Sequence, residues 1–215
     1  MTNTKNETKT KNSIIKDALV LFVITIVSGL ALGVAYEITQ PVIQERNLEA
    51  KRLAYQSVYE DAQSFVPDEE LEEKAKTAPE DLLSPSGFKN VTIDEVLLAQ
   101  DVNGNPMGHV MTVTIGSGYS GDITISMGYS LDGFMQGLEF LVLNETVGFG
   151  QNANNPEFKD QFVGKQASEF VATNSDPSEE NEVDGISGAT MTTDAVLEAI
   201  NGGILFLNES TSIDN

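Results

Sequence analysis

Hydrophobic and polar positions fall into three textures along the chain. From Ala18 to Tyr36 the run ALVLFVITIVSGLALGVAY holds 19 residues without a charge. As a helix it spans roughly 28 Å, close to the hydrocarbon thickness of a bilayer, which predicts a transmembrane helix over 17–37. A cleaved signal peptide is the alternative, but its apolar region usually holds about 7–15 residues. A lipoprotein cleavage site needs a cysteine, and the chain has none. Beyond the span, VIQERNLEAKRLAYQSVYEDAQSFV sets Leu48, Tyr55, Tyr59, Ala62 and Val66 at spacings compatible with one helical face. The charged run PDEELEEKAKTAPEDLLSPSG follows and reads as a solvated helix or linker. Together they make a membrane-proximal helical and charged segment over 38–87.

From about Phe88 the period shortens to two. VTIDEVLLAQD, HVMTVTIGSGY, DITISMGYS and FMQGLEFLVLN are separated by NG and DG turns, which predicts an antiparallel meander. Gly116, Gly118, Gly121 and Gly128 interrupt it, and a strand glycine marks a bulge or a close approach to the backbone. The period lengthens again in TTDAVLEAINGGILFL, where Val196, Ala199, Ile200, Ile204 and Leu207 recur three and four apart. That predicts an amphipathic helix from about Thr193 to Leu207 and then a short polar tail. Thr192 or Thr193 is its expected cap, Asp194 suits its positive end, and Met191 is placed to pack on Val196. Gly202 and Gly203 each cost about 1 kcal/mol relative to alanine and threaten its continuity. The fold class is therefore α+β: a single N-terminal transmembrane helix, then an antiparallel strand-rich domain over 88–215 closed by a C-terminal helix.

Charge narrows the function. With 33 acidic against 12 basic residues, the net charge is −21, which excludes a nucleic-acid surface built on clustered lysine and arginine. The absence of cysteine excludes disulfides, thiolate metal sites and cysteine nucleophiles. His109 is the only histidine and lacks the partners a metal site needs, so it reads as structural and no metal is expected. Lys5, Lys9, Lys11 and Lys16 precede the span, making 1–16 a cytoplasmic tail and placing the domain on the outer face of the membrane. Arg46, Lys51 and Arg52 follow the span and weaken this asymmetry.

The remaining candidate for chemistry is DGISGATMTT, from Asp184 to Thr193. Spacing alone fits either an ordinary capped turn or an anion site at a helix N-terminus. However, Asp184, Ser187, Gly188, Ala189 and Thr190 reproduce the D-x-x-[ST]-G-A-T signature of the covalent FMN-binding domain, with a further hydroxyl at Thr192. The resemblance implies that Thr190 is esterified to the FMN phosphate by a separate flavin transferase. A second stretch, NETVGFG, resembles the family's E-T-P-G-L-G segment through Glu145, Thr146, Gly148 and Gly150. Val147 stands in place of the proline and Phe149 in place of the leucine, which leaves the rigidity of that loop open. Glu145 and Thr146 either contact the isoalloxazine or hold the loop. Tyr119 either stacks on the ring or packs in the strand, and Asp184 is expected to bond the backbone of the turn.

With its single N-terminal anchor and its length, the chain resembles the G subunits of Rnf electron-transport complexes over most of residues 14–207. That resemblance implies a membrane-anchored electron carrier without catalytic residues of its own. Its partners would be the membrane subunits of a complex that moves electrons between reduced ferredoxin and NAD while translocating Na⁺ or H⁺. The C subunits of sodium-translocating NADH:quinone reductases share the domain and are the nearest alternative. A stand-alone extracellular flavin electron-transfer protein is the other.

Overall fold

The computed structural model describes residues 4–166, 168–173 and 177–211, with side chains from Ile14 onward. The first residues of the tail, the side chains of Lys5, Lys9 and Lys11, and the last four residues of the C-terminal tail lie outside the described residues. The chain divides into two units, 1–49 and 50–215. The first is one continuous helix, the N-terminal part of α1 (Thr4–Val58), which runs through Pro41 without a break. Among the described residues it is the one helix long and apolar enough to cross a membrane. Its large apolar side chains, from Ile14 to Leu48, lie exposed.

The second unit is a five-stranded antiparallel meander with helices on both faces. Its strands are β1 (Ser64–Pro67), β2 (Val91–Gln100), β3 (Pro106–Ile115), β4 (Ile123–Ser130) and β5 (Met135–Leu143), paired in sequence order. Alternation decides the faces. Ile123, Ile125 and Met127 of β4 point into the main core with Met111, Val113 and Ile115 of β3. The helix α4 (Thr190–Thr211) covers that face with Val196, Ile200 and Ile204. A separate small parallel pair, β6 (Val171–Thr173) and β7 (Glu182–Asp184), leads into α4. Asn201 of α4 fixes the approach to β6, donating to the Phe170 carbonyl at 2.9 Å and accepting its N–H at 2.8 Å.

The C-terminal stretch of α1, from Ala50 onward, lies on the opposite face. Tyr55, Val58 and Tyr59 pack there on Leu97, Ala99 and Val110. The helix ends at Val58, and the expected apolar face does not continue along it. Ala62 is buried in the following loop, whereas Val66 lies in the edge strand β1, opposite Leu98. Glycine makes the close contact possible: a Cβ on Gly128 or Gly137 would collide with the backbone of Val58. For Gly128 the visitor anticipated from sequence is thus the end of the chain's own helix.

The charged run after β1 forms α2 (Glu69–Ala78), capped by Asp68, whose side chain accepts the Leu71 N–H at 3.1 Å. Such a cap stabilises a helix by about 0.5–2 kcal/mol. Leu71, Ala75 and Ala78 bury one face of α2 in the main core, so it is part of the domain rather than a linker. His109 is buried with Nε2 3.4 Å from Asp68, in keeping with a structural role.

Candidate cofactor site

The site lies where three loops meet at one end of the sheet. The β3–β4 turn brings Tyr119, the segment after β5 brings Glu145 to Gly150, and the turn before α4 brings Gly188 and Ala189. Together with Met191 and Thr192 they line a cleft of about 390 Å³, within the roughly 300–1,000 Å³ usual for cofactor sites.

The loops are held to one another by specific bonds. Glu145 is buried, and its Oε1 accepts the Ser120 N–H at 3.3 Å, joining the two strand-end loops. Gly118 leaves room chiefly for the Gly121 carbonyl, with which a Cβ there would collide, and for the carboxylate, whose Oε1 would stand 3.0 Å away. Thr146 is exposed, and its carbonyl accepts the N–H groups of Phe149 at 3.1 Å and Gln151 at 3.2 Å. Asn152 Nδ2 adds a bond to the Gly148 carbonyl at 3.1 Å. The loop is therefore closed by its own hydrogen bonds, with valine at position 147 and Gly148 at a φ of +80°. Tyr119 is 67 % exposed on the rim, which excludes strand packing as its role.

The turn before α4 has its own lock. Thr193 Oγ1 accepts the Ile186 N–H at 3.0 Å and donates to the Ala189 carbonyl at 3.1 Å. Between them Gly188 takes a φ of +74°, a left-handed conformation that a side chain would strain. The expected cap at Thr192 or Thr193 is corrected by this geometry. The helix starts at Thr190, three residues earlier, so both threonines lie inside it and are buried, and Asp194 falls beyond the first turn. Met191 is 56 % exposed and lines the cleft instead of packing on Val196. Asp184 does not bond the turn either. Its backbone N–H donates to Gln161 Oε1 at 2.6 Å and its carbonyl accepts Gln161 Nε2 at 3.3 Å. Among the described residues its exposed carboxylate has no hydrogen-bond partner.

Of the residues singled out from sequence, the cleft brings together Tyr119, Glu145, Thr146, Gly188 and Ala189. Thr190 sits between Ala189 and Met191 with its side chain exposed, as the first residue of α4. Ser187 and Asp184 line a shallower neighbouring hollow. Sequence reasoning missed Phe149, Met191 and Thr192 as lining residues. Phase along α4 would have put Met191 and Thr192 at the cleft, had the helix start been placed correctly.

Residues 118–204 match the FMN-binding domain family. The G subunit of the Na⁺-translocating ferredoxin:NAD⁺ oxidoreductase complex of Acetobacterium woodii is 33 % identical over 199 residues, covering 89 % of this chain and 90 % of that one. The chain belongs to this G-subunit family. A second member, the G subunit of the ion-translocating oxidoreductase complex of Methanosarcina acetivorans, is 28 % identical over 91 % of this chain and 95 % of its own. The fold is also that of the C subunit of the Na⁺-translocating NADH-quinone reductase of Parabacteroides distasonis. That crystal structure gives a TM-score of 0.52 at 19 % identity, over 80 % of this chain and 97 % of that one.

The geometry suits the family's cofactor on its own terms. The cleft has apolar walls in Tyr119, Phe149 and Met191 and a polar floor in Glu145 and Thr192. The N–H groups of Thr190, Met191 and Thr192 have no intrahelical acceptor, because the first helical bond runs from the Thr193 N–H to the Ala189 carbonyl at 3.0 Å. Donors for a phosphate therefore stand beside a slot for a planar ring.

Proposed function

We propose that the chain is a membrane-anchored electron carrier of an Rnf-type ferredoxin:NAD oxidoreductase, with FMN joined to Thr190 through a phosphoester. The observation that carries this reading is the position of Thr190, exposed at the start of α4 and flanked on both sides by residues of the cleft. Among the hydroxyl residues of DGISGATMTT, Thr192 and Thr193 are buried, so only Ser187 and Thr190 are open to a modifying enzyme. A flavin transferase would form the Thr190 Oγ–P bond as the phosphoanhydride of an activated flavin donor breaks. The nucleotide part leaves, and the hydroxyl proton passes to the transferase.

Bound FMN supplies transfer of electrons singly or in pairs. The chain's own residues bind and orient. The first-turn N–H groups and the positive end of α4 favour the phosphate. Tyr119, Phe149 and Met191 offer apolar surface to the ring, while Glu145 joins the loops that carry Tyr119 and Phe149. The helix α1 keeps the domain at the membrane, where the partners are the other membrane subunits of a complex that translocates Na⁺ or H⁺. The N-terminus is cytoplasmic in this reading, and the domain lies on the outer face.

The test is direct. Full-length chain made with a flavin transferase should fluoresce in a denaturing gel, and Thr190→Val should be dark. Fluorescence retained by Thr190→Val would move the attachment to another residue. Membranes carrying Thr190→Val in place of the native chain should assemble yet lose ferredoxin-dependent NAD⁺ reduction. Normal activity there would leave this protein as a structural part of the complex.

A further inference from the structure

Two threonines stand side by side at the start of α4, and their hydroxyls are treated very differently. Thr193 uses its hydroxyl within the chain, on the Ile186 N–H and the Ala189 carbonyl. Thr192 is 1 % exposed, and among the described residues its hydroxyl has no hydrogen-bond partner. It lines the cleft. Among the described residues the fully buried side-chain polar atom without a partner is Ser126 Oγ; Thr192 Oγ1 instead reaches the cleft, the place where its hydrogen-bonding capacity can be met. A valine would fill the same volume, and no bond within the chain uses the hydroxyl, so its partner is one that enters the cleft.

The neighbouring residue supports this. A Cβ on Gly150 would stand 2.5 Å from Thr192 Oγ1 and 2.8 Å from the Glu145 Cβ. Any larger residue at position 150 would press on the hydroxyl or displace it. Gly150 has an ordinary negative φ, so backbone conformation does not demand glycine there. The demand is for space beside Thr192 and the Glu145 side chain.

We propose that the Thr192 hydroxyl is a binding contact for the flavin mononucleotide, hydrogen-bonding a phosphate or ribityl oxygen inside the cleft, and that Gly150 is glycine to leave it open. The inference rests on the cleft being the FMN site, but it does not require the covalent bond. Attachment through Thr190 and seating through Thr192 are then separate functions of neighbouring residues. Losing the second leaves the flavin tethered and loose.

The experiment compares full-length wild type, Thr192→Val and Thr192→Ser in detergent, each prepared with and without flavin transferase. Without flavin, Thr192→Val should melt at the wild-type temperature or above it, because no bond within the chain is lost. With flavin attached, wild type should gain thermal stability, and Thr192→Val should gain less. Its flavin fluorescence anisotropy should also fall toward that of a flexibly tethered group, with Thr192→Ser restoring both. Free FMN titrated into the unmodified chains should bind Thr192→Val about tenfold more weakly, the loss expected for one hydrogen bond. Equal anisotropy, equal stability gain and equal FMN affinity would overturn the proposal. So would a Thr192→Val chain that is destabilised without flavin, since the hydroxyl would then serve the fold. A wild-type preparation that binds free FMN more tightly than Thr192→Val, yet carries none covalently after treatment with the transferase, would overturn the attachment reading alone.

Discussion

Thr193 Oγ1 lies 3.0 Å from the backbone nitrogen of Ile186, seven residues earlier, and that bond closes the turn from which α4 emerges. Thr193→Val keeps the shape but strands the Ile186 N–H. That N–H is part-buried, so the cost lies toward the lower end of the roughly 1–3 kcal/mol of a fully buried unsatisfied donor. Chemical denaturation of the full-length chain should show a loss of that size, with Thr193→Ser close to wild type. Unchanged stability in Thr193→Val would mean that the turn is held by its neighbours.

Gly137 of β5 makes a harder demand. Its Cα faces the last turn of α1 so closely that a Cβ would stand 2.6 Å from the Val58 Cα. Both partners are backbone, so no rotamer change relieves the overlap. Gly137→Ala should destabilise the domain by about 1–3 kcal/mol or more, as overpacked cores do, and Gly128→Ala should behave alike. Gly104→Ala provides a contrast: a Cβ there meets nothing within 4 Å, and only its φ of +80° is strained. A milder loss in Gly104→Ala than in Gly137→Ala, read from denaturant midpoints, checks the packing argument.

His109 should make stability depend on pH near neutrality. Burial pushes its pKa below the usual 6.5, and the nearby Asp68 offsets this in part. The unfolded chain therefore takes up a proton on this residue more readily than the folded one. The stability this contributes is fully present above about pH 6.5 and falls as the pH drops from there toward the folded value. Unfolding midpoints measured between about pH 5.5 and 7.5 should slope downward on acidification in wild type and flatten in His109→Gln. An equal slope in both would assign the effect to carboxylates.

The topology can be tested without any flavin. The lysines at positions 5, 9, 11 and 16 precede the apolar run and favour a cytoplasmic N-terminus. Protease added to intact spheroplasts should then digest the domain while a cytoplasmic marker stays whole. Protection of the domain in unbroken cells would reverse the orientation.

The sequence by itself determined what local pattern and chemistry can carry. Nineteen charge-free residues require a membrane-length helix, because lipid tolerates neither charge nor unpaired backbone. Alternation from Phe88 onward sorts successive side chains onto two faces, and the turns between the runs make the meander; that both faces are covered, and β3 and β4 buried nearly throughout, only the fold decided. The run Asp184 to Thr190 matches its signature residue by residue, so the attachment candidate was legible before any coordinates. Tertiary structure decided what depends on contacts between distant residues. Gly202 and Gly203 look like breaks in α4, yet the helix runs unbroken for 22 residues. Their missing side chains let it settle on Val91, Met111 and Met127; the packing gained across the core outweighs about 1 kcal/mol of lost propensity at each. The helix start followed the same logic. Hydroxyl spacing allows a cap at Thr192 or Thr193, but only the folded turn supplies Ile186 and Ala189 as partners for Thr193, which draws both threonines inside the helix. Thr192 then turns its hydroxyl to the cleft beside Gly150, a residue 42 positions earlier in the chain, and no local pattern encodes a meeting made only by the fold.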